Sequence, residues 1–175
     1  MYFAFYYVGS FGRNIIGLPY AESINLLIVL NSMGVIGRLG PNFIADRYGA
    51  QNTLIPVVAI TSLLIFCWIG VDSRGGLYAW AVMYGLVGAA IQSLFPATLS
   101  SLTTDLRMAG VRMGMVFTIL SFAVLTGPPI AGQLIQLKGG GYEYAQIFAG
   151  VVMLVGCCLI TAARYASNKK LLVRI

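Results

Sequence analysis

The chain has 175 residues, of which 59% are hydrophobic and 9% charged, with eleven Lys and Arg against five Asp and Glu and no histidine. Soluble domains carry about 25% charged residues, so a water-surrounded globule is excluded, and with it a soluble basic face for nucleic acid. Without histidine there are no Ser-His or Cys-His dyads, no His-Glu-x-x-His zinc sites and no histidine proton relays.

Residues 1–11 open the chain as an apolar, aromatic run about half a membrane span in length. No basic segment precedes it, which makes a signal peptide a poor reading. It is expected to be the outer end of a helix whose beginning is missing. Residues 23–45, 53–71, 77–102, 113–137 and 143–166 are long and almost free of charge, and each reaches the ~20 residues that cross a ~30 Å hydrocarbon core as a helix. Turns are expected at Arg13–Ser23, Arg47–Asn52, Asp72–Gly76, Thr103–Arg112 and Lys138–Tyr142. Asp72-Ser73-Arg74-Gly75-Gly76 and Lys138-Gly139-Gly140-Gly141 are breakers that no helix interior favours. No connection can hold a soluble domain. The expectation is therefore one all-α, multi-pass integral membrane domain over 1–175, with five complete spans and a partial one.

The net charge of +6 is best read by position. If the Asp46-Arg47 turn is cytoplasmic, then Arg47, Arg107, Arg112, Arg164, Lys169, Lys170 and Arg174 lie inside, against Arg13, Arg74 and Lys138 outside. That asymmetry follows the positive-inside rule and makes the C-terminus cytoplasmic, with its basic tail on the anionic leaflet. Cys67, Cys157 and Cys158 fall inside spans, where they read as small packing residues rather than a disulfide framework.

The run Gly37-Arg38-Leu39-Gly40-Pro41-Asn42-Phe43-Ile44-Ala45-Asp46-Arg47-Tyr48-Gly49 carries the densest signal. Its Asp-Arg-x-Gly turn resembles the loop signature of the major facilitator superfamily, and the Gly-Arg-x-x-Pro stretch resembles the fungal monocarboxylate-transporter-like branch. The resemblance implies the C-terminal six-helix half of a transporter, with a truncated first helix and a 3+3 inverted repeat. Gly40-Pro41 and Gly127-Pro128 are the visible trace of that repeat, and Gly40-Pro41 is expected to end its helix. Asp46, Arg47 and Gly49 are then expected to form a cytoplasmic latch, with Gly49 supplying the backbone freedom for a tight reversal. The match is partial: Asn42 stands where the family usually has Gly, and Ala50 and Gln51 replace the basic residues that often follow.

Arg38 lies eight residues before Asp46, about 12 Å up the helix. A cation at that depth costs several kcal/mol unless it faces a protein interior or a watery path. Its planar fork suits a carboxylate, and the resemblance implies an anion-binding arginine. The mammalian members carry an acid one turn earlier, where this chain has Gly34. The alternatives are an Arg snorkelling to the inner interface or pairing with Asp105. Asn31 shares the helix face of Arg38, and Gln92 is the expected partner across the bundle. Asn25, Ser32, Tyr84, Thr118, Ser121 and Thr126 are further polar positions expected to face the bundle interior. Gly127, Pro128 and Gly132, in Gly127-Pro128-Pro129-Ile130-Ala131-Gly132, form a bendable, closely packed segment, and Gly110-x-x-x-Gly114 follows the same packing logic. Tyr6 and Tyr7 read equally as cavity-facing or as part of an outer aromatic belt.

The expected partners are the lipid bilayer, a small organic solute (a monocarboxylate or related anion, with or without a coupled proton) and the absent N-terminal half. The expected location is the plasma membrane. No cofactor, metal or catalytic residue is expected, and an enzyme is disfavoured because the five acids lie almost all in loops. A second reading is a truncated, non-transporting fragment or an interaction subunit.

Overall fold

The computed structural model describes residues 1–103 and 106–167. It is all-helical: α1 (Tyr2–Asn14), α2 (Tyr20–Tyr48), α3 (Ala50–Trp68), α4 (Arg74–Ser101), α5 (Leu106–Leu137) and α6 (Glu143–Ser167). In hydrocarbon every backbone polar group must find its partner within the segment, which an α-helix provides. Helices α2 to α6 are each long and apolar enough to cross a membrane. At 13 residues, α1 is about 20 Å long and falls short of that thickness.

Several expected boundaries move. The reversal at Arg47–Asn52 shrinks to one residue, because Asp46, Arg47 and Tyr48 continue α2 and only Gly49 leaves the helical region, at φ 92° and ψ 140°. Its N–H donates to the Ala45 carbonyl at 2.8 Å, and its own carbonyl accepts from the Thr53 amide and hydroxyl at 3.2 and 3.1 Å. Gly40-Pro41 does not end α2 either. Proline removes a single donor from the ladder, and on the next carbonyl the Asn42 side-chain amide donates to Arg38 at 2.8 Å. The expected loop over Thr103–Arg112 is also too long, since α5 already begins at Leu106 and includes Arg107 and Arg112. Likewise α1 extends through Asn14. Of the predicted breakers, Lys138–Gly141 does end a helix. In Asp72–Gly76 only Asp72 and Ser73 stay outside, and Arg74, Gly75 and Gly76 form the first turn of α4. Ser73 caps α4 by accepting from the Gly76 amide at 3.1 Å. Gly139 (φ 63°) and Gly140 (φ 100°) close α5 with Gly139 N–H to Gln136 and Gly140 N–H to Ile135, the paired bonds of a Schellman ending.

Two three-helix groups, α1–α3 and α4–α6, pack into one bundle. Helix α2 lies along α4, α3 packs against both α4 and α6, and α5 makes lighter contact with α6, α1 and α4. The tightest seam is α2 on α4. A Cβ on Gly37 would drive into the Leu86 carbonyl, one on Gly85 would come within 2.5 Å of the Leu30 carbonyl oxygen, and one on Gly34 would sit 3.1 Å from Ala89 Cβ. Small residues let helix backbones approach this closely in membranes. On α6, Gly150 leaves room for the Phe66 ring, and its carbonyl accepts from Ser62 Oγ at 3.0 Å. Towards the Ser73 end an aromatic column fills the core. Trp68 stacks on Trp80 at 4.4 Å and Trp80 on Tyr84 at 4.8 Å, with Phe3 and Phe11 of α1 against Trp68. Trp80 Nε1 donates to the Leu64 carbonyl at 2.6 Å, and the Tyr84 hydroxyl to Met1 at 2.9 Å.

The glycine seam makes a test. Gly37→Ala forces α2 away from α4 and is expected to destabilise the chain by about 1–3 kcal/mol, the usual scale of overpacking. Gly40→Ala, with nothing within 4 Å of the new methyl, is expected to be neutral. Thermal unfolding of both variants in nanodiscs checks the contrast, and equal melting points would refute the seam.

Candidate functional site

Arg38 immediately follows Gly37, so the close backbone seam carries its side chain alongside α4. Arg38 Nη2 donates to Gln92 Oε1 at 2.6 Å, and the Arg38 carbonyl accepts from Ser93 Oγ at 3.3 Å. Arg38 is exposed, while Gln92 is half-buried. Gln92 also borders a cavity of about 430 Å³, whose apolar walls include Phe95, Phe117, Val124, Phe148 and Met153. Gln92 therefore stands between a charged donor, which does not itself line the cavity, and a roomy, mostly apolar space. Polar groups beside such a space are common in small-molecule sites.

Asn31 does not join them. Its amide donates to Leu27 of its own helix at 2.8 Å, because a short side chain bonds more readily to the preceding turn than across a bundle. Thr118, Ser121 and Thr126 do the same, to Gly114, Thr118 and Phe122, and all three are exposed. Asn25 and Ser32 are exposed as well. Asn31, Thr118, Ser121 and Thr126 thus bond within their own helices rather than to another helix of this chain. Tyr84 is the exception and is fully buried. Gly110 and Gly114 have nothing within 4 Å, so that pair packs against no neighbour among the described residues.

The ion pairs among the described residues are Arg74 with Glu22, at 2.9 Å, and Lys138 with Glu143. Arg38 is in neither. Its alternative partner Asp105 lies outside the described residues, as do Lys169, Lys170 and Arg174. At Gly34 the close approach of Ala89 leaves little space for a side chain of any kind.

At the Gly49 end, Asp46 and Gly49 line a small recess of about 340 Å³ with Ser93, Ala97 and Ser101 of α4. Arg47 turns instead into a groove between α2 and α3, beside Asn52 and Pro56. Arg164, counted from the sequence as one more basic residue near the membrane edge, is 1% exposed, and its Nε donates to Asn52 Oδ1 at 3.1 Å. It ties α6 to the first turn of α3. Its place in the last turn of an otherwise apolar helix was the available signal.

Gly127 and Pro128 border the cavity. The Tyr7 hydroxyl donates to the Pro128 carbonyl at 2.8 Å, and a Cβ on Gly132 would sit 3.0 Å from that hydroxyl. Tyr7 thus lies inside the bundle. Tyr6 is 59% exposed, so the two neighbours separate, as helix geometry requires of adjacent residues. No group of three or more metal-ligating side chains occurs among the described residues.

No family model matches the chain. Over 166 residues it is 45% identical to an MFS-type transporter of Gibberella zeae, covering 94% of the chain and 38% of that protein. It is 36% identical over 170 residues to the agnestins efflux protein AgnL12 of Paecilomyces divaricatus, covering 97% of the chain and 38% of that protein. It is 32% identical over 163 residues to the aspyridones efflux protein apdF of Emericella nidulans, covering 93% of the chain and 33% of that protein. The chain therefore spans between 33% and 38% of the length of these curated relatives.

The one-residue reversal yields a second test. At φ 92° and ψ 140° an alanine is strained, and such positions cost on the order of 1–3 kcal/mol. Gly49→Ala is expected to lower the unfolding temperature in nanodiscs by a matching amount, whereas Ala50→Gly, at a helical position, has a smaller effect. An unshifted melting curve for Gly49→Ala would count against a strained turn.

Proposed function

Because this chain belongs to the major facilitator superfamily, we propose that it supplies the C-terminal half of a secondary transporter for an organic anion, acting as one membrane domain. The observation that carries the proposal is the Arg38–Gln92 bond at 2.6 Å, whose Gln92 borders the cavity. A guanidinium within a span is costly unless it has protein or solute partners. Gln92 takes one of its five donors, and the fork keeps others for a carboxylate. The Gly37-Arg38 and Pro41 pattern supports a monocarboxylate-transporter-like member of the superfamily. With Gly34 pressed against Ala89, the acid-plus-arginine pair of the mammalian members has no place here, so any proton coupling uses other groups.

In this reading solute meets Arg38 and Gln92 near the midplane, and the half rocks against an N-terminal half around that point. Asp46, Arg47 and Gly49 act at the cytoplasmic end of α2, where the recess against α4 can receive a partner surface. Gly127, Pro128 and Gly132 make α5 bendable at one place. Two relatives are named for efflux, of aspyridones and of agnestins, which supports outward movement across the plasma membrane.

Orientation is tested by labelling. The Lys/Arg asymmetry favours a cytoplasmic Gly49 turn and C-terminus. Cysteines engineered at Ser73 in a cysteine-free chain are expected to react with an impermeant maleimide on intact cells, and those at Asn52 only after permeabilisation. The reverse pattern would invert the topology.

The role of Arg38 is tested in a chimaera in which this chain replaces the matching segment of the Gibberella zeae relative. Uptake and efflux of a panel of labelled organic acids into proteoliposomes are measured per folded protein. Arg38→Lys keeps charge but loses the fork, so affinity is expected to fall about tenfold, the scale of one charge-assisted hydrogen bond. Arg38→Ala is expected to transport hardly at all, with folded yield little changed. Near-normal affinity in Arg38→Lys would leave the anion-binding role without support.

A further inference from the structure

Helix α5 is weakened at one place, and α1 holds it there. Pro128 and Pro129 have no N–H, so the carbonyls of Val124 and Leu125 lose their intrahelical donors. At this break the Tyr7 hydroxyl reaches across from α1 and donates to the Pro128 carbonyl at 2.8 Å. The Tyr7 ring is itself fixed, 5.2 Å from Phe3 and 6.4 Å edge-on from Tyr142. One turn further on, Gly132 is what admits the hydroxyl, because a Cβ there would sit 3.0 Å from it.

Within this chain α5 touches its neighbours at few places: before the break Phe117 meets Phe95 of α4 edge-on at 6.2 Å, and after it Ala131 is buried in the core. Gly110, Gly114 and Gly127 have nothing within 4 Å, and the break itself borders open space at Gly127 and Pro128. A helix with a backbone gap and a polar anchor from a neighbouring helix at that gap has the parts of a hinge.

We propose that Tyr7 is a positioning residue that pins the proline break of α5 to α1. Residues 106–127 pivot about that pin while the stretch after it stays with α1 and α6. In the transporter proposed above, the pivot lets α5 change its angle to the solute site at Gln92. That consequence rests on the transporter reading, whereas the pin does not.

The test is amide hydrogen exchange on the whole chain in lipid nanodiscs. Tyr7→Phe keeps the ring and removes only the hydroxyl. It is expected to raise exchange at residues 130–133 about five- to tenfold, the effect of losing one hydrogen bond, with α2 to α4 unchanged. Gly132→Ala is expected to do the same by pushing the hydroxyl off, and to add nothing in the Tyr7→Phe background, where no hydroxyl remains to collide. Should Gly132→Ala fold only together with Tyr7→Phe, that rescue supports the pin equally. Unchanged exchange in Tyr7→Phe, a rise spread over all helices, or equal damage by Gly132→Ala in both backgrounds would overturn it. Absence of transport in the chimaera would sink the transporter reading and leave this exchange pattern as it stands.

Discussion

The contact on which the rest of the structure depends is the backbone-to-backbone seam between α2 and α4. Gly37 sits on the Leu86 carbonyl and Gly85 on the Leu30 carbonyl. Lipid gives helices no hydrophobic reason to associate, so close van der Waals fit has to supply it. This fit also sets the register between the helices. Arg38 follows Gly37 in α2 and Gln92 lies two turns beyond Gly85 in α4, so the seam brings guanidinium and amide to 2.6 Å. Had either glycine been larger, the helices would separate and the two groups would no longer reach each other.

A second set of contacts ties the remaining helices to that pair. The Trp68, Trp80 and Tyr84 column joins α3 to α4, and Phe3 and Phe11 of α1 close on it. Aromatic pairs of this kind stabilise beyond the area they bury. At the opposite end Arg164 and Asn52 join α6 to α3 through a charge-assisted bond almost wholly removed from solvent. Helix α5 takes part in neither. It is attached through α6, α1 and limited contact with α4, with the break at Pro128 held by the Tyr7 hydroxyl.

Much of the fold was legible from composition alone. Five apolar runs of spanning length and the glycine-rich breakers follow from the cost of leaving backbone groups unpaired in hydrocarbon, and both are present. Helix ends were less legible. Pro41 was expected to stop α2, yet a single missing donor does not end a helix supported on both sides, and α2 runs on to Tyr48. The partners of polar residues inside spans were hidden for a related reason. Nothing in a sequence says which acceptor Asn31, Thr118 or Thr126 takes, and each bonds to the preceding turn of its own helix.

What the sequence by itself determined is whatever depends on local chemistry: that the chain enters the membrane, where it crosses, that a lone cation stands deep in α2, and that the Asp46–Gly49 turn resembles a transporter loop. Only the tertiary structure decided which side chains meet. The pairing of Arg38 with Gln92, of Tyr7 with Pro128 and of Arg164 with Asn52 joins residues 54, 121 and 112 positions apart. No periodicity reports such distances, because helix register is set by how closely two backbones approach. That approach depends on glycines such as Gly37 and Gly85, whose importance lies in the neighbour they admit and shows only once the neighbour is in place.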